Sequence, residues 1–256
     1  MGFASFLFIF YLVGVARFRA LRYRLGRTYW HGIRGGSDDN GLHFGLSYMI
    51  KTFIGYIVLG LMIPWSMMSL WNERWGKMSF GPHRFQSAGD YKPAFWRWLL
   101  IYALPFLFII AVMILGLGGG LFAAMAPDGA RGGVAAGAIV ALVLMVVGIY
   151  GGIALVMLAY YAVFFRSAIG GLSLSTLDFQ FTARTTDWLK LILGDIALVI
   201  CTLGIGIIFL AYRHWKFFVT HMEAYGEIDL DTLTQSDTRM SKHGEGLLDA
   251  LDIGAF

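Results

Sequence analysis

Residues 134–165 form an apolar run that carries no formal charge at any position. At ~1.5 Å per residue a helix of that length extends about 48 Å, against a bilayer hydrocarbon core of about 30 Å. An aqueous fold offers no place to hide such a segment on every side, so the chain belongs in a membrane. Composition agrees. The chain is 58% hydrophobic and only 14% charged, whereas soluble domains carry roughly 25% charged residues. Further apolar runs cover residues 3–15, 42–71, 95–122 and 188–218. The first is short for a full span, and the third contains Pro105, a kink site. The expected fold is an all-α polytopic membrane protein with about five apolar membrane segments.

Two of these runs match one another. One reads Lys51-Thr-Phe-Ile-Gly-Tyr-Ile-Val-Leu-Gly60 and the other Asp195-Ile-Ala-Leu-Val-Ile-Cys-Thr-Leu-Gly204. Each has one ionisable residue in apolar surroundings, reaches Leu-Gly at the same spacing and ends in aromatic and basic residues. The match suggests an internal repeat over residues 42–75 and 187–219. A charge inside a bilayer is costly and marks a partner or a function. Lys51 and Asp195 carry opposite signs at equivalent positions, which makes them a candidate intramembrane pair. The alternative is that Lys51 snorkels to the headgroups and Asp195 hydrogen-bonds alone.

Charge placement bears on topology. Arg17, Arg19, Arg22, Arg24, Arg27 and Arg34 precede the 42–71 run, and Arg74, Lys77, Arg84, Lys92 and Arg97 follow it. The positive-inside rule places both groups on the cytoplasmic side, which a straight span does not allow. The 188–218 run has the same anomaly. Two readings stay open for each segment: a re-entrant hairpin turning near Leu59-Gly60 or Leu203-Gly204, or a single span with one basic end outside. The turn around Pro127-Asp128-Gly129 is poor in positive charge and suits the far side.

Aromatic and basic stretches lead repeatedly into short alternating segments: 28–34, 78–85, 172–181 and 227–233. Alternation over such lengths indicates extended pieces or small hairpins, and the Trp, Tyr and Arg beside them belong at the headgroup level. From Glu223 onward acidic residues dominate. The expected organisation is a membrane domain over 1–222 and an acidic soluble tail over 223–256, exposed and weakly ordered.

The aromatic-basic runs, Thr28-Tyr-Trp-His-Gly-Ile-Arg-Gly-Gly36 and Thr202-Leu-Gly-Ile-Gly206 together resemble the YjgN-like family of bacterial inner-membrane proteins, a domain family of unknown function. The resemblance covers nearly the whole chain. Members typically show Trp-Arg-Gly-Ile-Arg-Gly-Gly, and here His31 stands where that first Arg would be. Members also tend to show Asn where Lys51 or Asp195 sits, so a charge pair would be peculiar to this chain. The resemblance implies a multi-pass protein of the bacterial inner membrane and supplies no activity.

No catalytic constellation emerges. The six histidines fall into no compact metal-ligand spacing, and no nucleophile elbow, phosphate loop or dinucleotide fingerprint is present. Cys201 is the single cysteine, which excludes an internal disulfide. The expectation is a non-enzyme without cofactor. Nucleic acid is not an expected partner, because the basic residues interleave with membrane-anchoring aromatics. The six arginines from Arg17 to Arg34 are either topogenic, facing lipid, or a site for anionic headgroups or another anionic ligand. Two functions remain in view. A transporter- or channel-like protein is suggested by broken apolar segments in corresponding positions. A non-transporting scaffold or envelope factor that binds anionic lipid or a protein partner is suggested by the many interfacial anchors.

Overall fold

The alternating segments fold as strands. The computed structural model describes residues 2–57, 59–125, 131–227 and 234–238. Helix α1 (Gly2–Gly26) leads into β1 (Tyr29–Trp30) and β2 (Ile33–Gly36). Then come α2 (Leu42–Ile57), α3 (Ile63–Trp75), β3 (Ser79–Phe80) and β4 (His83–Ser87). The long helices α4 (Lys92–Met125) and α5 (Arg131–Gly170) precede β5 (Leu172–Leu174) and β6 (Leu177–Phe181). The chain continues through α6 (Thr185–Cys201), a 3-10 turn (Ile205–Phe209), α7 (Leu210–His221) and β7 (Met222–Tyr225).

All seven strands join one antiparallel sheet in sequence order. Two-residue turns close three hairpins, with positive φ at His31 and Gly32, at Gly81 and at Ser175. Such turns match the twist of the strands they join. The hairpins then pair edge to edge, Gly35 with Phe80, Phe85 with Leu174 and Phe179 with Ala224. The all-α expectation is therefore corrected: the fold is helical with a seven-stranded sheet. Each strand is only two to five residues long, so no single segment announces a sheet that forms by pairing distant hairpins.

Because every helix that enters or leaves a strand ends at the sheet, the helices share one base. Phe18, Leu21, Phe44, Leu70, Met78, Phe85 and Leu172 form a core where α1, α2 and α3 meet the strands. Phe181, Leu191 and Phe217 form another beneath α6 and α7, with Trp188 and Phe165 against it. The α1–α2 crossing is close: a Cβ on Gly14 would stand 2.6 Å from Tyr48 Cβ, and one on Gly45 would stand 2.4 Å from Val15 Cγ2. Small residues let helix backbones approach in this way.

Among the described residues, three helices are long and apolar enough to cross a membrane: Ala4–Gly26, Lys92–Gly119 and Ile139–Gly170. The first corrects the expectation of a short run over residues 3–15. The arginines after Val15 do not end the helix, because Phe18, Ala20 and Leu21 carry its buried face onward between them. Helices α4 and α5 run antiparallel away from the sheet, with largely exposed apolar surfaces.

The other two apolar runs fold as helical hairpins that start and finish at the sheet. One is α2–α3 and the other α6–α7. Each reverses on a Leu-Gly pair in the left-handed region: Leu59 (φ +49°) with Gly60 (φ +81°), and Leu203 (φ +51°) with Gly204 (φ +95°). The two turns satisfy their backbone differently. Tyr102 of α4 donates to the Leu59 carbonyl at 2.5 Å, and Trp98 Nε1 donates to the Gly60 carbonyl at 2.9 Å. The second turn uses its own Thr202, which donates to the Leu198 carbonyl at 2.6 Å and accepts from Gly206 N–H at 2.7 Å. Tyr102 lies ten residues into α4, about 15 Å along a helix about 51 Å long, so the first hairpin turns back well short of the far end.

The acidic tail also needs correction. Glu223, Ala224 and Tyr225 belong to β7, paired with β6, so the boundary at 222/223 runs through a strand. Residues 234–238 lie on β2: Gln235 Oε1 accepts from Arg34 N–H, and Gln235 Nε2 donates to the Gly32 carbonyl at 2.9 Å. This piece has docked because β2 offers free backbone groups at the turn. The alternating segment at 227–233 and the far turn at 126–130 lie outside the described residues, apart from Glu227.

Gly204→Ala is expected to cost about 1–2 kcal/mol, the strain of a Cβ at positive φ, since nothing else lies within 4 Å of that position. Gly60→Ala should lower the detergent melting midpoint further. Its Cβ would stand 3.1 Å from Ile63 and 3.2 Å from the Tyr102 hydroxyl that braces the turn. Equal losses would argue against the brace.

Candidate functional site

The ionisable residues of the two hairpins come first, because their cost in apolar surroundings demands compensation. Lys51 and Asp195 do not pair with each other. Lys51 Nζ lies 2.6 Å from Glu73 Oε2, with the Ser47 hydroxyl donating to the same oxygen at 2.5 Å. Asp195, 9% exposed, takes Arg213 Nε on Oδ1 and His214 Nε2 on Oδ2, both at 2.6 Å. Each charge is thus met across its own hairpin, with the sign reversed: cation on α2 and anion on α3, anion on α6 and the Arg213 cation on α7. The physical reason is proximity. Antiparallel helices joined by a turn run side by side, whereas the two hairpins sit at different places on the sheet. A Cβ at Gly194 would stand 2.5 Å from Arg213 Nη2, so a larger residue beside Asp195 would push the Arg213 guanidinium aside.

Most of the arginine cluster is committed to the protein itself. Arg19 donates to the Asn40 carbonyl at 3.1 Å and Arg22 to the Asp39 carbonyl at 2.7 Å. These bonds tie the end of α1 to the loop that opens α2. Lys77 Nζ reaches Asp39 Oδ2 at 3.0 Å. Burial alone would raise the Asp39 carboxyl, but the Gly41 N–H and the Lys77 ammonium outweigh it and hold the group below its ordinary value. Arg27 sits over the Tyr23 ring, Arg24 lies in the last turn of α1, and Arg34 donates to the Thr238 carbonyl. The six therefore do not converge on one site.

Arg17 is different. It lines a chamber of about 450 Å³ between α1, α2, α3 and α5, together with Arg74. Arg74 is 6% exposed. The sequence reading placed it among the basic anchors after the second run and missed its inward position. Aromatic rings hold both guanidinium groups: Arg17 lies 5.4 Å from the Tyr48 centroid and Arg74 5.7 Å from that of Trp71. Such cation–π contacts help fix a guanidinium in place. Tyr48, Thr52, Ser66 and Tyr161 add hydroxyls to walls otherwise made by Phe44, Leu70 and Phe164. Arg17 and Arg74 both lie toward the sheet ends of their helices, so the chamber is cationic at its base and apolar above. Planar guanidinium groups with several donors suit phosphate and carboxylate oxygens.

Double-mutant cycles separate the pairings. Lys51→Met with Glu73→Leu, and Asp195→Leu with Arg213→Met, should each show a coupling of about 0.5–3 kcal/mol, as contacting residues do. Lys51→Met with Asp195→Leu should be additive in thermal unfolding. Coupling in that last cycle would contradict the pairings described.

No curated protein and no solved structure matches the chain. A family model matches residues 1–250, and its extent agrees with the near-complete resemblance to YjgN-like proteins. The chain belongs to the family described as "Bacterial protein of unknown function (DUF898)".

Proposed function

We propose that this is a multi-pass protein of the bacterial inner membrane that binds an anionic group through Arg17 and Arg74. The observation that carries the reading is that two arginines from different helices line one chamber. Like charges on neighbouring helices repel, and an anion in the chamber beside Arg17 lessens that repulsion.

The proposed topology follows from the shared base of the helices. Helices α1, α4 and α5 cross the bilayer, and α2–α3 and α6–α7 enter and leave from the side of the sheet. That arrangement puts Arg17 to Arg34, Arg74 to Arg97, Arg166, Arg184, Lys190 and Lys216 toward one side, leaving Arg131 toward the other. The positive-inside rule then makes the sheet cytoplasmic and removes the anomaly of runs with two basic ends. The matched Leu-Gly turns support reading the hairpins as copies of one unit. They also support transport as a second reading, since broken helices in corresponding positions often frame a transport site. Transport ranks second because Lys51 and Asp195 are each satisfied inside their own hairpin and so do not line a shared passage.

Titration of the protein in neutral detergent with phosphatidylglycerol should raise its melting midpoint. Phosphatidylcholine with the same chains should do so far less. Arg17→Gln and Arg74→Gln should each weaken the phosphatidylglycerol effect about tenfold or more, the loss of one charge-assisted hydrogen bond. Equal stabilisation by both lipids, or no effect of either substitution, would contradict the reading.

A further inference from the structure

Strand β2 is covered on both faces, and its two glycines show by what. Successive strand residues face opposite ways. A Cβ at Gly35 would collide with Leu25 of α1, and one at Gly36 with the Thr238 hydroxyl. The helices therefore lie on one face of the sheet and residues 234–238 on the other. Arg34 shares the face of Gly36, is 9% exposed and donates to the Thr238 carbonyl. Gln235 spans the first hairpin turn: its Nε2 donates to the Gly32 carbonyl at 2.9 Å and its Oε1 accepts from Arg34 N–H at 3.2 Å. A Cβ at Gly81, in the second hairpin turn, would stand 3.0 Å from the Thr234 carbonyl. The same chain has come from the third hairpin turn, where Thr176 Oγ1 donates to the Glu227 carbonyl at 2.5 Å. From Glu227 to Thr234 the chain can reach at most about 25 Å. That is close to the five strand spacings of about 4.8 Å that separate β7 from β2, so the tie between the two ends of the sheet is short.

What this tie holds follows from connectivity. Helix α1 enters the β1–β2 hairpin and α2 leaves it, so the hairpin carries both. Its register with the rest of the sheet is two residue pairs, Gly35 with Phe80 and Gly36 with Ser79. The chamber of about 450 Å³ is lined by α1, α2 and α3 and, opposite, by Tyr161, Phe164 and Phe165 of α5. Helix α5 leads into β5, in the third hairpin. The chamber thus lies on the seam between helices carried by the first hairpin and the helix that feeds the third. We infer that residues 234–238 are a clasp: docked on β2, they hold the first hairpin to the third and keep the seam narrow, and their release lets α1 and α2 move away from α5 and opens the chamber. The inference concerns access to the chamber and does not depend on what the chamber binds. The hydrogen bonds of Gln235 and Thr238 bias the equilibrium toward the narrow state, and removing them shifts the population toward the open one.

The test reads access to the chamber directly. Ser66 lines it and is 4% exposed, so Ser66→Cys, in the full chain with Cys201→Ser, reports opening by its rate of modification with methyl methanethiosulfonate in phosphatidylcholine nanodiscs. Leu191→Cys, in the core beneath α6 and α7, is the control away from the seam. Gln235→Ala removes both side-chain bonds at the first turn, and Gly36→Val places a branched side chain where Thr238 sits. Each should speed modification at position 66 about tenfold or more, the shift expected from losing two hydrogen bonds, while the rate at position 191 stays unchanged. An unchanged rate at position 66 in Gln235→Ala overturns the clasp. Rates that rise together at both positions mean general loosening and overturn it as well. A rise with Gly36→Val alone traces to the strand and not to the tail, and also overturns it. If Gly36→Val does not fold, Gln235→Ala, at an exposed position, decides alone.

Discussion

Under the proposed topology both helical hairpins reverse inside an apolar medium, where carbonyl and N–H groups are out of reach of water, and the fold depends on how those groups are met. Non-helical backbone at membrane depth is tolerated only where protein surrounds it. The α2–α3 turn is served by Tyr102 and Trp98, so α4 is fixed against the hairpin by the bonds that make the turn possible. The α6–α7 turn is served from within by Thr202 and needs no such neighbour. One hairpin is therefore built into the bundle through α4, while the other is held by its base, where Trp188, Phe217 and Phe218 pack around Phe165 and Phe181.

The charges obey the same constraint. Lys51 with Glu73, and Asp195 with Arg213 and His214, are cross-hairpin pairs in surroundings where either member alone would be costly. Both pairs lie on the stems, between turn and sheet, and hold each hairpin closed. Arg17 and Arg74 are placed differently. Their guanidinium groups lie against the rings of Tyr48 and Trp71, and both line one chamber.

Much of this was legible in the sequence, but unevenly. The Leu-Gly turns were readable because one spacing occurs twice and the basic residues at both ends of each run resist a straight span. The extended pieces were readable from alternation at 28–34, 78–85 and 172–181. Their assembly into one sheet was not, because the pairings of Phe85 with Leu174 and Phe179 with Ala224 join segments far apart in sequence that carry no mutual signature. The charge pair was misassigned for a related reason. Equivalent depth in two copies suggested Lys51 with Asp195, but a hairpin brings its own stems together first, Lys51 to Glu73 and Asp195 to Arg213. Arg74 was hidden in the same way. Nothing in Trp71-Asn-Glu-Arg-Trp75 states which residue turns inward, and only the packing of α3 against α1 and α5 decides it.

The central claim is that both hairpins enter and leave from one side. Single cysteines at Asp38 and Gln86, on either side of α2–α3, test it most directly. The native Cys201 is replaced by Ser, and a membrane-impermeant maleimide is applied to intact cells. The account predicts that both positions are protected until the membrane is permeabilised, while a cysteine at Ala124, at the far end of α4, is labelled from outside. Labelling of Asp38→Cys or Gln86→Cys without the other would make α2–α3 a straight span and contradict the account.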